Sequence, residues 1–376
     1  MKKRIITYVL TALLSAVLLF VWNGYVSRDT DIFKHAVKSA SAEVLTVDSR
    51  EETDLDNFIS TAIIGNAEIT SGEHNGEVVK VYQEHNSAYN NMRIIEPGDK
   101  IIIKNFPVEG EGIDWVVDNY KRTGALMWLV AIFVIMVLVF GRSKGLRTVV
   151  SLAYTCISVF AVFVPAVLSG KNIYLTGILV CVFIIAMTLL MVNGADKKTL
   201  CAALGCIGGV LVAALITVIF SHIMNFAGYT DEDSYYLTML PNEINLKAIA
   251  FSAIIIGAVG AVMDVAMSIS SSLHEMTEKV EGITFKSLVE SGFAIGRDMM
   301  GTMANTLVLA YMGSSVSCVL LLLTYADSAA DVFNREMIAY EILQAVAGSL
   351  GILLAIPLTT VVCGLVYIKR KKTIEH

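Results

Sequence analysis

Charged side chains are scarce in this sequence: Asp, Glu, Lys and Arg make up 16% of its 376 residues, too few to clothe a water-soluble domain of that size. Between residues 24 and 121 there is no cysteine, which excludes a disulfide there. No Cys-x-x-Cys pair or Cys/His cluster suggests zinc, and no other metal or cofactor is expected. The motifs His-Glu-x-x-His, Gly-x-Ser-x-Gly and Gly-x-x-x-x-Gly-Lys-Ser/Thr are all missing, so metalloprotease, hydrolase and nucleotide-driven readings lose their usual marks and the chain is not read as an enzyme. No Lys/Arg block marks a nucleic-acid partner.

What fills the space is apolar: 55% hydrophobic residues and a mean hydropathy of +0.67. A hydrocarbon layer of about 30 Å needs about 20 apolar residues per helical crossing. Eight stretches meet that length: 5–22, 124–140, 148–168, 173–192, 199–224, 248–270, 302–323 and 341–367. The fold class expected is an all-α polytopic membrane bundle with a small β-rich domain outside it. The bilayer itself is the first partner.

Lys2, Lys3 and Arg4 precede the first stretch, as they would in a signal peptide or a signal anchor. The run ends on Trp22-Asn23-Gly24-Tyr25 without a small-x-small cleavage site, which favours an uncleaved helix over residues 1–23. Basic residues recur at Arg142, Lys144 and Arg147, at Lys197 and Lys198, across 273–299, and at Lys369 to Lys372. With both termini cytoplasmic, every one of these lies inside. The opposite loops are acidic, with Asp231, Glu232, Asp233 and Glu243, then Asp327 and Asp331.

That orientation puts residues 27–121 outside and leaves 122–372 as a seven-helix membrane domain. In the outer segment, Ala67 to Thr70, Glu77 to Tyr82 and Lys100 to Lys104 read as strands, with turns at Gly72 to Gly76 and Pro97-Gly98-Asp99. A small barrel or sandwich of oligonucleotide/oligosaccharide-binding type is expected. Leu55, Phe58, Ile59 and Ala62 fall at helical spacing, predicting a helix over 48–62. His74 and His85 sit among turn residues.

The least ordinary stretch is 256–312. Asp264 is the only acid well inside a predicted span, where an ionised carboxylate costs roughly 2.5 to 3.5 kcal/mol. Gly257, Gly260, Ala261, Asp264, Ser268 and Ser271 recur at three and four residues, one stripe of small groups that would let a neighbouring helix approach closely. The neighbour expected is the next span, with Gly301, Thr302, Asn305 and Thr306. On the last span Glu341, Gln344, Gly348, Gly351 and Ala355 form a third stripe ending at Pro357. Residues 284–296 have the amphipathic pattern of a helix at the cytoplasmic interface. Arg297 and Asp298 then read as an interfacial ion pair or, alternatively, an inner gate. Met263, Met267, Met299, Met300 and Met303 are ordinary apolar filler.

The runs Gly260 to Met276, Ile295 to Tyr311 and Ala347 to Thr359 resemble the signature of YibE/F-like membrane proteins. The resemblance extends to a leading helix, an outer β-rich domain and a bundle; it implies a bacterial plasma-membrane protein and no particular activity. A more distant similarity, in the order acid-bearing helix, interfacial helix, Thr/Asn helix, links the chain to resistance-nodulation-division transporters and to SecD and SecF. It departs from them in its small outer domain, two additional spans and the lack of a second midmembrane Asp or a Lys.

Two functions compete at this stage. One is an ion-coupled transporter or export component for an unidentified small solute, with Asp264 carrying the proton. The other is a scaffold whose outer domain binds an envelope ligand or partner, with Asp264 only anchoring helices. An intramembrane aspartyl protease would need a second acid at matching depth. A homo-oligomer or a paired homologous subunit fits either of the first two.

Overall fold

The computed structural model describes residues 2–27, 38–55, 58–86, 93–108, 113–231, 233–239 and 244–374. It divides into two units, one drawn from residues 31–136 and the other from 1–30 and 137–376.

In the first unit, strands β1 (Ser39–Leu55), β2 (Phe58–Ile69), β3 (Val78–Asn86), β4 (Lys100–Val108) and β5 (Ile113–Tyr120) close into a barrel in the order β1-β2-β3-β5-β4. It is a barrel and not a sandwich, and closure leaves no strand edge free. Only β3 and β5 run parallel. The helix expected over 48–62 is replaced by β1 and β2, paired from Ala42↔Ile69 to Leu55↔Phe58. Thr61, Ile63, Ala67 and Ile69 are buried while Ala62, Ile64, Asn66 and Glu68 are not. That period of two belongs to a strand, and it outweighs four apolar residues that happen also to fit a helix. Register shifts at Val44/Thr46 and Val47/Ser49 bend β1, so its first residues can pair with β4. At that bend β1 presses on Gly65, where a Cβ would overlap the Thr46 carbonyl.

Ala42, Val44, Ile63, Ile101, Ile103 and Trp115 are among the residues that fill the barrel. Among the described residues two polar side chains of the barrel are buried, Thr61 and Gln83, and Gln83 has no exposed surface. Its Nε2 donates to the Arg93 carbonyl and its Oε1 accepts from the Ile95 N–H, both at 2.9 Å. Arg93 then holds both oxygens of Asp99, at 2.6 and 2.7 Å, and Tyr120 donates to the Arg93 carbonyl at 2.9 Å. Burial alone would raise Asp99, but the Arg93 hydrogen bonds, the Glu96 N–H and the Tyr120 hydroxyl together hold it below the ordinary carboxylate range. A depressed folded value stabilises above the unfolded value of about 3.9 and is lost as pH falls through the folded one. Protection against hydrogen exchange in residues 93–105 of the full chain, taken relative to the intrinsic rate at each pH, should therefore fall on acidification below about pH 4, and Asp99→Asn should flatten that dependence. A pH response that survives Asp99→Asn would assign it elsewhere.

The second unit is helical, and residues 123–136, the start of the second long helix, fall in the first unit. Among the described residues seven helices are long and apolar enough to cross a membrane, which points to a membrane location. They are α1 (Lys2–Val26), α2 (Thr123–Ser158), α4 (Ile173–Asn193), α5 (Lys197–Ile223), α7 (Leu246–Lys279), α8 (Phe285–Tyr325) and α10 (Glu336–Ile374). The short helices α3 (Val164–Leu168), α6 (Asp233–Leu237) and α9 (Ala329–Asn334) lie between them. Glu232 and Glu243 of the acidic loop fall outside the described residues.

Two expected boundaries change. The stretches 124–140 and 148–168 belong to one run, Thr123–Leu168, but it breaks at Arg142, whose φ of 47° and ψ of −126° are not helical. At the break the chain folds back so tightly that a Cβ on Gly145 would overlap the Val137 carbonyl; eight residues apart on a straight helix, these groups would be about 12 Å distant. Further along, Pro165 has no N–H for the carbonyl four residues back. A π-helical turn, Val159–Phe163, absorbs the mismatch, and the amide of Asn23 on α1 donates to the freed Ala161 carbonyl. Tyr154 donates to the Ala12 carbonyl at 3.0 Å, while Arg147 lies 4.4 Å over the Tyr8 ring and Lys171 5.0 Å over Tyr25. These contacts tie α1 to the bundle along its length.

The second change is in α8, which is one uninterrupted helix of 41 residues where the sequence suggests an interfacial helix and a separate span. Its first half stays in the bundle because glycines let it approach α10: a Cβ at Gly292 would meet Thr360, and at Gly296 would overlap Ile356.

Candidate functional site

Helices α7, α8 and α10 pack on one another, bringing together the three stripes that the sequence singles out. They do not meet as expected. The buried face of α7 carries Ala258, Val262, Val265, Ala266 and Ile269, and Gly257, Gly260 and Asp264 lie exposed on the opposite side. Nothing stands within 4 Å of a Cβ built on Gly260. Ala261, Ser268 and Ser271 are half-buried at its margins. Apolar residues take the packed side because close packing there gains dispersion contacts and leaves no polar group sealed in. The small stripe is therefore a trough along α7 and not a seam.

Asp264 lies in this trough and makes no hydrogen bond or ion pair among the described residues. On α8, Asn305 is exposed and likewise unbonded. The Thr302 hydroxyl donates to the Met299 carbonyl and Thr306 to the Thr302 carbonyl, at 2.9 and 2.8 Å, so both are spent on their own helix. Gly301, like Gly260, faces open space.

Contacts along α10 set relative depth. Val262 lies against Gly351, and the Cys363 thiol stands 3.6 Å from the Ser270 hydroxyl, which places Asp264 between those levels. Gly296 lies against Ile356, so Arg297 and Asp298 are beside the middle of the 341–367 stretch and not at its mouth. Both are exposed and form no ion pair with each other among the described residues. Side chains one residue apart on a helix point about 100° apart. Three ionisable groups thus share a similar depth on open helix faces.

Toward the Leu246 end of α7 the trough meets a sealed polar group. Tyr311 of α8 reaches over Gly257, where a Cβ would stand 2.6 Å from its hydroxyl and 3.8 Å from Nε2 of Gln344. Its neighbours are the Gln344 amide and the Glu341 carboxyl. Among the described residues neither the Tyr311 hydroxyl nor Oε2 of Glu341 has a partner at hydrogen-bonding geometry, and both atoms are buried. Toward the other end, Ser270 donates to the Lys198 carbonyl at 2.7 Å, and His274 stacks on Tyr367 with ring centroids 5.5 Å apart. No group of three His, Cys, Asp or Glu able to hold a metal occurs among the described residues. His74 instead pairs with Glu77 at 3.0 Å.

The packing glycines are partly where the sequence puts them. Gly348 receives Leu307, and Gly351 receives Ala213. The tightest approach, however, is between Gly205 and Thr359, backed by Gly209 against Ala355 and the Gly351 carbonyl. The Gly205-Cys206-Ile207-Gly208-Gly209 run is a small-xxx-small pattern, the sequence signal for the α5–α10 contact, which the stripes on α7, α8 and α10 do not include.

A family model described as YibE/F-like protein matches residues 129–369, more than half of the chain. The chain belongs to the YibE/F-like family. The match takes in both arms of the broken α2 and the trough with Asp264, and it begins after the barrel. No curated protein and no solved structure matches. For this YibE/F-like protein the chemistry must therefore be argued from the trough itself.

Proposed function

We propose that this YibE/F-like protein is an ion-coupled transporter or export component of a bacterial plasma membrane, in which Asp264 takes up and releases a proton. The single observation that carries the reading is that Asp264 has an open face and no bonded partner. An acid kept to anchor helices needs a hydrogen bond across a helix contact, and this one has none among the described residues. Left against lipid it would be costly, so its accessibility favours a wet path. Arg297 and Asp298 at similar depth on α8, also exposed, favour the same. The bare Cα surfaces at Gly260 and Gly301 leave room for that water.

The break at Arg142 supports eight crossings, because each arm of Thr123–Leu168 is then long enough, at about 28 Å or more, to span alone. With eight, both termini are cytoplasmic, the basic loops are inside and the barrel is extracytoplasmic. An unidentified small solute is the cargo proposed, and no catalytic step is assigned. Asp264→Asn in reconstituted vesicles should abolish proton movement driven by an imposed gradient, read with an internal pH dye. Unchanged flux would remove the transport reading and favour the second one, a scaffold whose closed barrel captures an envelope ligand.

A further inference from the structure

We propose that Glu341 and Tyr311 form the outer proton station of the trough, handing protons to Asp264 along the bare face of α7. The inference rests on Asp264 being the proton-carrying acid and adds the route by which it is reached.

Two buried oxygens without a bonded partner among the described residues belong to different helices, the Tyr311 hydroxyl of α8 and Oε2 of Glu341 on α10; the Glu341 carboxyl acts on Tyr311 through space, and Gln344, one turn along α10 from Glu341, meets the Tyr311 hydroxyl over Gly257. Buried polar groups in native proteins are nearly always bonded, and a pair that is not marks a place for water or an exchanging proton. Gln344 adds an amide able to donate and accept at the same point. Gly257 is what admits Tyr311, since any Cβ there would strike the hydroxyl. The other groups facing this cluster are Tyr340, which stacks on Phe226 with centroids 5.9 Å apart, and Asp231, which acts on Tyr340 from the neighbouring loop. Among the described residues no Lys or Arg acts on Tyr311 or Tyr340.

From Gly257 to Asp264 is seven residues, about 10 Å along one face of the helix. Halfway stands Gly260, with open space over its Cα. That gap suits a file of water molecules, which need room and polar ends. The proton leaves the Glu341 carboxyl for the Tyr311 hydroxyl oxygen as that hydroxyl releases its own proton onward. It crosses the waters over Gly260 and ends on the Asp264 carboxylate, and Glu341 regains a proton from the outer solution. No electrons move and no other reactant is needed.

The test reads Asp264 directly and needs no cargo. A hydrophobic carbodiimide modifies protonated carboxyls, and mass spectrometry of the full chain in right-side-out membrane vesicles reports the fraction modified at residue 264. Acidifying the outer solution should raise modification in the wild type. Glu341→Gln should cut that response about tenfold or more, Tyr311→Phe should slow it, and Glu341→Asp should restore part of it. Acid admitted to the lumen should still raise modification in Glu341→Gln, which shows a folded protein with a competent Asp264. A full outer response in Glu341→Gln would overturn the relay while leaving the proton-carrying acid in place. An Asp264 that is never modified from either side would overturn the transport reading and the relay with it.

Discussion

Replacing Gly205 by Val should prevent stable assembly of the helical unit, at a cost of about 3 kcal/mol or more. Helices α5 and α10 pack more extensively than any other helix pair, and Gly205 is their closest point. A Cβ there would stand 2.7 Å from the Thr359 Cβ and 2.8 Å from its Cα. A side chain could rotate away, but the Cα moves only if α10 moves. That shift would propagate to Gly209, where a Cβ would already lie 2.8 Å from both Ala355 and the Gly351 carbonyl. The protein supplies its own probe. Cys181, Cys201, Cys206 and Cys363 have no exposed surface, so a thiol-reactive fluorophore reports their release as the detergent-solubilised chain is heated. Gly205→Val should lower the midpoint sharply, and Gly205→Ala should lower it less. Combining Gly205→Ala with Thr359→Gly should recover part of the loss. An unchanged midpoint in Gly205→Val would show that this contact is looser than the geometry states.

The second large effect belongs to the barrel. Gln83→Leu should destabilise it by about 2 kcal/mol, because two backbone groups lose a hydrogen bond at once: one keeps its Tyr120 donor, and the other, buried, is left unpaired at a cost of about 1 to 3 kcal/mol. The groups are the Arg93 carbonyl and the Ile95 N–H, both 2.9 Å from the Gln83 amide. Leucine fills similar volume and recovers some apolar burial, so the deficit reads chiefly as lost hydrogen bonding. With 93–95 released, Arg93 would no longer be held for Asp99 and Tyr120. Hydrogen exchange at Ile95 should rise most, with Val81 and Ile103 following as the barrel opens. Gln83→Glu keeps the acceptor but buries a carboxylate oxygen against the Arg93 carbonyl, and should cost at least as much at neutral pH. Unaltered protection at Ile95 in Gln83→Leu would refute the account.

Membrane class and span positions are legible from sequence because the hydrocarbon layer imposes a length along the chain: a run such as 173–192 is apolar for long enough whatever its neighbours do. Asp264 was legible by its rarity inside such a run. The strands at 67–70, 77–82 and 100–104 show in part, since Gly72, Gly76 and Gly98, all at positive φ, punctuate them as turns. The helix expected over 48–62 failed because a window of apolar residues can satisfy a spacing of three to four and a spacing of two together. Pairing with a distant strand decides between them. The boundary between 284–296 and 302–323 failed for a related reason. Its charges suggested an interface, and nothing local reveals that Gly292 and Gly296 hold the segment against α10.

From sequence alone follow the helices long and apolar enough to cross a membrane, the small β-rich domain that interrupts them, and the one acid that stands inside such a run. Each of these follows from transfer of side chains out of water, a property additive along the chain. Which face of α7 is packed and which is open takes the tertiary structure to settle, as do the fold-back at Arg142 and the approach of Tyr311 and Gln344 to Gly257. These depend on contacts between residues remote in sequence, whose energies belong to pairs and not to positions.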